Sequence, residues 1–565
     1  MRYTIHITHT SMGIRVEVPV RQMEVAILDW AQANLHAPKM GKDHGRIVTE
    51  KGDGFYVHMP TIHTFIFHKT FLNRIQSILN HVGVEYKVDY EIREHHYPRA
   101  EPYRCEFANY GFEMVVTDET SRFFYQNEVV ETACSDGQEQ TIFAIQTGRG
   151  KTKTFQKVMV RKGVRTALIH RASYVDKWKF DCSEDPTGLQ EPAEGVHVCK
   201  GVEGIYEAYQ MGLNGELDAK GIKIIIFSTT SLMMFLKEYI NTAHSNAVCL
   251  EKFYDVMGVG LVGCDEVHEH FYLVYLAGIM LNPPATVEMS ATLTPGASKQ
   301  FIGERYLERF PMNCRVSVPF IPVVDVRALY YSIENKKLVT YGSKMTPYNH
   351  KMLEKAFVKY NAHESFAEMV WDLMVKTYLK NYEVGQKALV FFATVDMCAF
   401  FTEFLQRKLA ATEWDYLQVF KYNAGDSYDD FIAADIGVST PGKAGTAIDI
   451  PGLMHAYVTI PIDDQQLNEQ IAGRPRATTR WPIDPRVWFL HCNDIPKHGT
   501  YLSSRKKSLG EKVKSFQIAF SPYVIRSSNA STSYSFASQT PVRRIELSKF
   551  SPKRSKGVSR RRRRR

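Results

Sequence analysis

Two short stretches hold residue types suited to chemistry on a phosphate. Gly263-Cys264-Asp265-Glu266-Val267-His268-Glu269-His270 sets a thiol, three carboxylates and two imidazoles within eight residues. As a metal site made of its own ligands the octet is awkward. On a helix, His268 and His270 point about 200° apart, whereas a zinc-protease pair sits four residues apart on one face. Only Cys264 and His268 have that separation, and two ligands do not complete a structural zinc site. The preceding run, DVMGVGLVG, is short, apolar and rich in Gly and Val, the texture of a buried strand. Carboxylates at the carboxyl end of a buried parallel strand are where an α/β sheet places ligand chemistry. The octet then needs a partner loop.

The partner lies upstream in Ala144-Ile145-Gln146-Thr147-Gly148-Arg149-Gly150-Lys151-Thr152. It follows the apolar stretch TIFAI and precedes KTFQKVMVRKG, which can start a helix. Gly148 and Gly150 let backbone N–H groups turn inward around phosphate oxygens. A following helix N-terminus adds its positive end, Lys151 would sit on the β/γ-phosphates and Thr152 on Mg²⁺. The strict P-loop pattern wants Gly where Ile145 stands, so its first position is not met. Joined to Asp265, 114 residues after Lys151, the loop gains its other half. Asp265 would hold Mg²⁺ through water, and Glu266 would orient or deprotonate the attacking water. The octet is thus expected to be the metal-and-base half of an ATP site, with the metal arriving on the nucleotide.

These groups need a scaffold, and 565 residues allow three or four domains with their own cores. A hydrophobic share of 44% and a charged share of 23% are ordinary for a soluble globular chain. The start, MRYTIHITHT, lacks a secretory pattern, and the longest apolar run, IIIFSTTSLMMFL, is too short to span a bilayer. Nine cysteines without a CxxC pair speak for a reducing compartment. A cytoplasmic protein without membrane contact is expected. The net charge of +9 is concentrated in the last 25 residues, which carry twelve Lys/Arg and one Glu. That stretch is a net +11, so residues 1–540 sum to about −2 by subtraction. Arg560 to Arg565, after the Ser-rich RSSNASTSYSFASQT, cannot fold alone and read as an arm that neutralises nucleic-acid phosphates.

Residues 1–117 read as a small α+β domain, a nucleic-acid-binding accessory. YTIHI and GIRVEV have the texture of strands, QMEVAILDWAQANL and the run Phe71 to Val82 that of helices. RIVTEKGDGFYVHM is expected to be a hairpin turning at Gly52-Asp53-Gly54. His58, His63 and His68 recur in steps of five that do not face one way on a helix. Beyond residue 118, β-branched runs alternate with helices: TALIH, IKIIIFS, GVGLVG and ATVEMS, then KALVFFA, DIGVST, AYVTIP and RVWFLH. Two such groups, divided near Pro311, Pro319 and Pro322, predict two doubly wound sheets in tandem. No internal repeat is visible.

With these residues in view, the chain resembles the superfamily 2 helicases of the DExH kind, and further motifs follow in that family's order. RFFYQNEVV resembles the Q motif, which implies that Gln126 reads adenine. ALIHRASYVDKW and FSTTSL resemble strand-contacting motifs, and SATLTP resembles motif III with Ser290 and Thr292. LVFFATVDMC is similar to motif IV, and STPGKAGTAIDIPGL to motif V with Gly445 and Asp449. QIAGRPRATTR resembles motif VI, Q-x-x-G-R-x-x-R. Arg474 matches, but the pattern's last arginine falls on Ala477, leaving Arg476 favoured over Arg480 as second finger. The resemblance implies two RecA-like domains, 118–315 and 316–525, ahead of a disordered Ser- and Arg-rich tail, 526–565. It also implies His268 and Gln470 as a coupling pair. Candidate strand grips are Arg171, Ser173, Thr229, Thr230, Thr394, Thr440 and Lys443. Such contacts touch backbone and carry no sequence information. YNAGDS stands only about a dozen residues before GVST, shorter than relatives usually have there.

Within the superfamily, the N-terminal GRIVTEKGDGFYVHM and Phe124-Tyr125-Gln126 resemble the UvsW-type bacteriophage DNA helicases. That implies ATP-dependent remodelling of branched DNA or R-loops, as a monomer in a host cytoplasm beside replication or recombination proteins. The rivals are an RNA helicase, the motor subunit of a restriction-type complex, and a binding or annealing protein with a degenerate nucleotide site. The intact Lys151, Thr152, Asp265 and Glu266 weigh against the last.

Overall fold

The computed structural model describes residues 3–43, 46–96, 103, 124–146, 149–186, 188–242, 248–290, 300–317, 322–339, 348–423, 425–445, 450–476, 478 and 480–527. The chain forms two compact units, Met1–Phe320 and Ile321–Arg565. Of the tail expected over 526–565, only Arg526 and Ser527 are described, where Arg526 N–H donates to Ser365 at 3.1 Å; the rest lies outside the described residues.

The first unit opens with a small α+β domain. Its five-stranded sheet runs in the order Val57–Met59, Thr64–His68, Gly13–Glu17, Tyr3–His9 and Tyr86–Ile92. Helices Arg21–Asn34 and Leu72–His81 turn Met23, Ile27, Ile75 and Leu79 into a core with Ile5, Ile7 and Phe65. The expected hairpin at Gly52-Asp53-Gly54 does not form. Arg46–Gly54 is one strand that pairs back on His36–Asp43, and Val57–Met59 pairs with Thr64–His68. Phe55 explains the difference, because its ring is buried among Phe271, Tyr272, Tyr275 and Phe301 at centroid distances of 5.0–6.0 Å. Burying one aromatic outweighs a turn preference worth far less. His58 and His63, which no helix would align, meet on Glu24, each 2.8 Å from one carboxylate oxygen.

Behind this domain stands a seven-stranded sheet, parallel throughout. Its order is Val196–Cys199, Ile224–Ser228, Thr166–His170, Leu261–Cys264, Thr286–Ser290, Gln140–Ala144, Arg315–Ser317. The strands are apolar without alternation because helices cover both faces. Helix Phe271–Leu281 shows the same logic. Ten of its eleven residues are buried, with no polar stripe for solvent. The small domain covers its outer side: a Cβ on Gly13 would lie 2.4 Å from the Ile279 carbonyl oxygen. Arg15 and Arg93 reach Glu251 at 3.1 and 3.3 Å and fasten the same contact.

The second unit is built on another fully parallel seven-stranded sheet. The order here is Val419–Tyr422, Ile436–Ser439, Lys387–Phe391, Leu453–Val458, Arg486–Cys492, Asp325–Ile333, Ser515–Ile525. Numbered by chain order within each sheet, both read 3-4-2-5-6-1-7. Two RecA-like doubly wound domains thus follow the small α+β domain along the chain. The short connection noted before GVST holds a helix of six residues, Tyr428–Ala433. No helix among the described residues is long and apolar enough to cross a membrane.

Candidate nucleotide site

In the first unit the first strand, Gln140–Ala144, leads into the expected phosphate loop, and helix Lys151–Lys162 follows directly. Gly150 stands at φ +80°, a left-handed conformation that favours glycine, and caps that helix. Thr154 donates twice to the Gly150 carbonyl, by N–H and by hydroxyl, each at 2.9 Å. Lys151 and Thr152 are therefore the first two residues of the helix, where backbone N–H groups point outward and the dipole end is positive. Thr147 and Gly148 lie outside the described residues.

Asp265 and Glu266 follow the fifth strand, Leu261–Cys264, which has neighbours on both sides. A close approach brings the loop helix to that strand, since a Cβ on Gly263 would lie 2.3 Å from the Phe155 ring. Lys151 Nζ consequently stands 2.5 Å from Glu266 Oε1 and 3.7 Å from Asp265 Oδ1. Glu266 is held at φ +50°, ψ +46°, an uncommon conformation for a residue with a side chain. Its N–H donates to Asp265 Oδ1 at 2.9 Å, which ties the two carboxylates into one turn. His268 Nδ1 lies 3.3 Å from Glu266 Oε2 and 2.7 Å from the Ser290 hydroxyl at the end of the sixth strand. The sixth strand separates the first from the fifth, so Ser290 sits between the loop and the carboxylates. Its carbonyl accepts from Ile145 N–H at 3.2 Å. Thr292 lies outside the described residues. Burial pushes the imidazoles of His170 and His270, which flank the carboxylates, down to about 4, so both are neutral at pH 7.

Two residues ahead of the loop close on it in ways that the spacing did not suggest. The Tyr125 hydroxyl donates to the Arg149 carbonyl, and the Arg149 guanidinium lies 5.5 Å from the Tyr125 ring centroid. Gln126 is buried, and its Oε1 accepts from Lys157 Nζ at 2.8 Å. An ammonium only donates, so the amide orientation of Gln126 is settled by chemistry. Lys157 drew no attention in the sequence because it sits mid-helix among charged neighbours.

The candidate strand grips occupy matching places in the two sheets. Arg171 and Ser173 follow the second strand of the first sheet, and Thr394 follows the second strand of the other. Thr229 and Thr230 follow the fourth strand, as do Thr440 and Lys443 in the second unit. Second and fourth strands are neighbours, so each unit gathers its pair of loops at one carboxyl edge. Individual side chains differ. Arg171 and Thr230 are exposed, whereas Thr229 is buried. Arg171 stands 3.7 Å from Glu269, and Lys443 lies over the Tyr422 ring at 4.5 Å. Thr394 is engaged internally. Its hydroxyl donates to buried Glu354 at 2.7 Å, and the same carboxylate takes the N–H of Ala393 and of Thr394.

In the second unit Arg474 is buried, and its Nε donates to the Gly445 carbonyl at 3.2 Å. A Cβ on Gly445 would meet the Pro441 carbonyl oxygen at 2.2 Å, so the turn after Pro441 leaves no room for a side chain there. Gln470, four residues before Arg474, is also buried. Arg476 donates its backbone N–H to Leu453, where the fifth strand begins. Arg480 donates to the Val384 carbonyl at 3.0 Å and lies over Trp481, ahead of the second strand. Asp449 lies outside the described residues.

No family model matches the chain, and no curated protein matches it in sequence. Among solved structures it is similar to a fragment of a putative HsdR subunit of a type I restriction enzyme from Vibrio vulnificus YJ016. That match has 12% identity and a TM-score of 0.44 over 72% of each chain. S. cerevisiae Dbp5 bound to RNA and ADP BeF3 matches at 11% identity and TM-score 0.45, over 69% of this chain and 88% of that one. T4 UvsW matches at 12% identity and TM-score 0.29, over 92% of this chain and all of that one.

Proposed function

We propose that this chain is an ATP-dependent DNA helicase or translocase of the DExH kind, which remodels branched DNA or R-loops during replication or recombination. One observation carries the proposal: Lys151, at the start of a helix that follows one strand, meets both Asp265 and Glu266 at the end of a parallel strand two places away in the same sheet. An ammonium against two carboxylates, with a hydroxyl on the next residue of the helix, fits a nucleoside triphosphate with Mg²⁺. Thr152 and Asp265 would hold the ion, and Gly150, Lys151 and the loop amides the phosphates. Bound Mg²⁺ would neutralise charge on the β- and γ-oxygens. Glu266 holds the attacking water and takes its proton once Lys151 has turned to the phosphates. Arg474, with Arg476, supplies guanidinium charge from the second RecA-like domain. Ser290, His268 and Gln470 sense whether the γ-phosphate is present, and the paired loops grip a strand backbone.

The decisive experiment is ATP hydrolysis with single-stranded DNA, branched DNA and RNA, for wild type and Glu266→Gln. Stimulation by branched DNA, lost in the variant, supports the proposal. Stimulation by RNA alone replaces DNA with RNA as the substrate, and hydrolysis that ignores nucleic acid removes the motor reading.

A further inference from the structure

Beyond the groups named above, a buried ion pair stands behind the Ser290–His268 bond. On strand Thr286–Ser290 the side chains of Glu288 and Ser290, two residues apart, emerge on one face. Glu288 Oε1 accepts from Arg309 at the end of helix Gln300–Arg309, and Oε2 accepts from the Thr286 hydroxyl at 3.2 Å. Glu288 is 2% exposed and Arg309 1%, so either charge without the other would be stranded in the interior. The Arg309 carbonyl in turn accepts from Gln140 on the first strand. One residue thereby ties the helix end to the first and sixth strands.

The small N-terminal domain bears on the same guanidinium. A Cβ on Gly278 would lie 3.0 Å from Met12 Sδ and 3.3 Å from Arg309 Nε, so the missing side chain lets both approach helix Phe271–Leu281. One turn before Arg309, Arg305 lies 5.2 Å from the Phe71 ring centroid. Met12 and Arg309 thus meet at Gly278, Arg309 bonds Glu288, Glu288 shares a strand face with Ser290, and Ser290 bonds His268 beside Glu266 and Lys151.

We propose that Arg309 is a positioning residue: it pins Ser290 against His268, and through it the docked N-terminal domain sets the response of the nucleotide site to nucleic acid. The proposal rests on the motor function above. Removing Arg309 alone would leave Glu288 buried without a counter-ion and is expected to unfold the domain. The working variant is therefore the double substitution Glu288→Gln with Arg309→Met, which removes the pin and both charges, with Arg309→Lys as the conservative partner and Met12→Ala for the domain contact.

Two readouts decide. In the double variant the ratio of nucleic-acid-stimulated to unstimulated ATP turnover is expected to fall about tenfold with KM for ATP kept. Arg309→Lys recovers toward wild type, and Met12→Ala moves the same way to a smaller extent. Hydrogen exchange over strand Thr286–Ser290, measured without ATP or nucleic acid, is expected to quicken in the double variant. A folded double variant with the wild-type ratio and exchange would overturn the proposal, because a merely structural pair would lower Tm alone. A wild-type protein without stimulated hydrolysis would fail the motor reading instead, and the exchange result would still decide the pin.

Discussion

Lys151 and Glu266 are bonded to each other at 2.5 Å, so the cation a phosphate would need and the carboxylate a water would need occupy one another. On the proposed function a nucleotide would separate them, while Glu266 stays on its left-handed turn. Glu266→Gln is expected to lower ATP turnover by about 10²–10⁴-fold, the usual contribution of a general base, with ATP affinity kept. Lys151→Ala is expected to lose affinity first. Steady-state hydrolysis beside equilibrium nucleotide binding separates the two, and equal loss of affinity in both variants would contradict this division of roles.

Gly263 sets the distance between the loop helix and the carboxylate strand. Gly263→Ala would press a methyl against the Phe155 ring, where a Cβ has only 2.3 Å. Overpacking of this kind costs about 1–3 kcal/mol. Urea denaturation should show that loss, and Phe155→Leu in the same chain should recover much of it. An unchanged midpoint would mean that the helix can retreat freely.

Acid should loosen the first unit. His68, the last residue of the small domain's strand Thr64–His68, is buried facing Arg309, Arg305 and Lys69, and burial together with these cations lowers it from 6.5 to about 3. The unfolded chain thus binds the proton that the folded chain refuses. Stability is complete above pH 6.5 and falls as the pH drops toward 3. For His68 alone the loss is about 2 kcal/mol at pH 5. His68→Asn, which still accepts from Thr70, is expected to lessen the fall in thermal midpoint between pH 7 and pH 5, with His170 and His270 keeping their own share of it. An equally steep fall in the variant would move the cause elsewhere.

Thr394 stands where a strand grip was expected, yet its hydroxyl proton is directed at Glu354. Thr394→Val is expected to cost about 1 kcal/mol of stability and to leave nucleic-acid affinity nearly unchanged. Glu354→Gln turns an amide donor toward the Ala393 and Thr394 N–H groups and should cost about 1–3 kcal/mol. Thermal melts with fluorescence anisotropy on a labelled strand check both. A large affinity loss in Thr394→Val would restore the hydroxyl as a strand contact.

Much of the fold was legible in the chain. TALIH, IKIIIFS and ATVEMS have no polar alternation, and the structure carries them as interior parallel strands, Thr166–His170, Ile224–Ser228 and Thr286–Ser290. Val196–Cys199 and Val419–Tyr422 escaped notice because they are short and carry polar residues, as edge strands do. The shared 3-4-2-5-6-1-7 order escaped too, since two sheets can repeat a topology without repeating residues.

The candidate site divides along the same line. By itself the sequence determined which groups lie together locally: Gly150 with Lys151 and Thr152, and Asp265 with Glu266 at the end of a strand, because neighbours in the chain remain neighbours in space. Only the tertiary structure decided that Lys151 meets Glu266, that Lys157 holds Gln126, that Glu354 claims Thr394, and that Arg309 stands behind Ser290. Those partners are 19 to 115 residues apart. Periodicity reports which face of an element is buried, but the residue that waits on the other side is chosen by how strands order and helices pack.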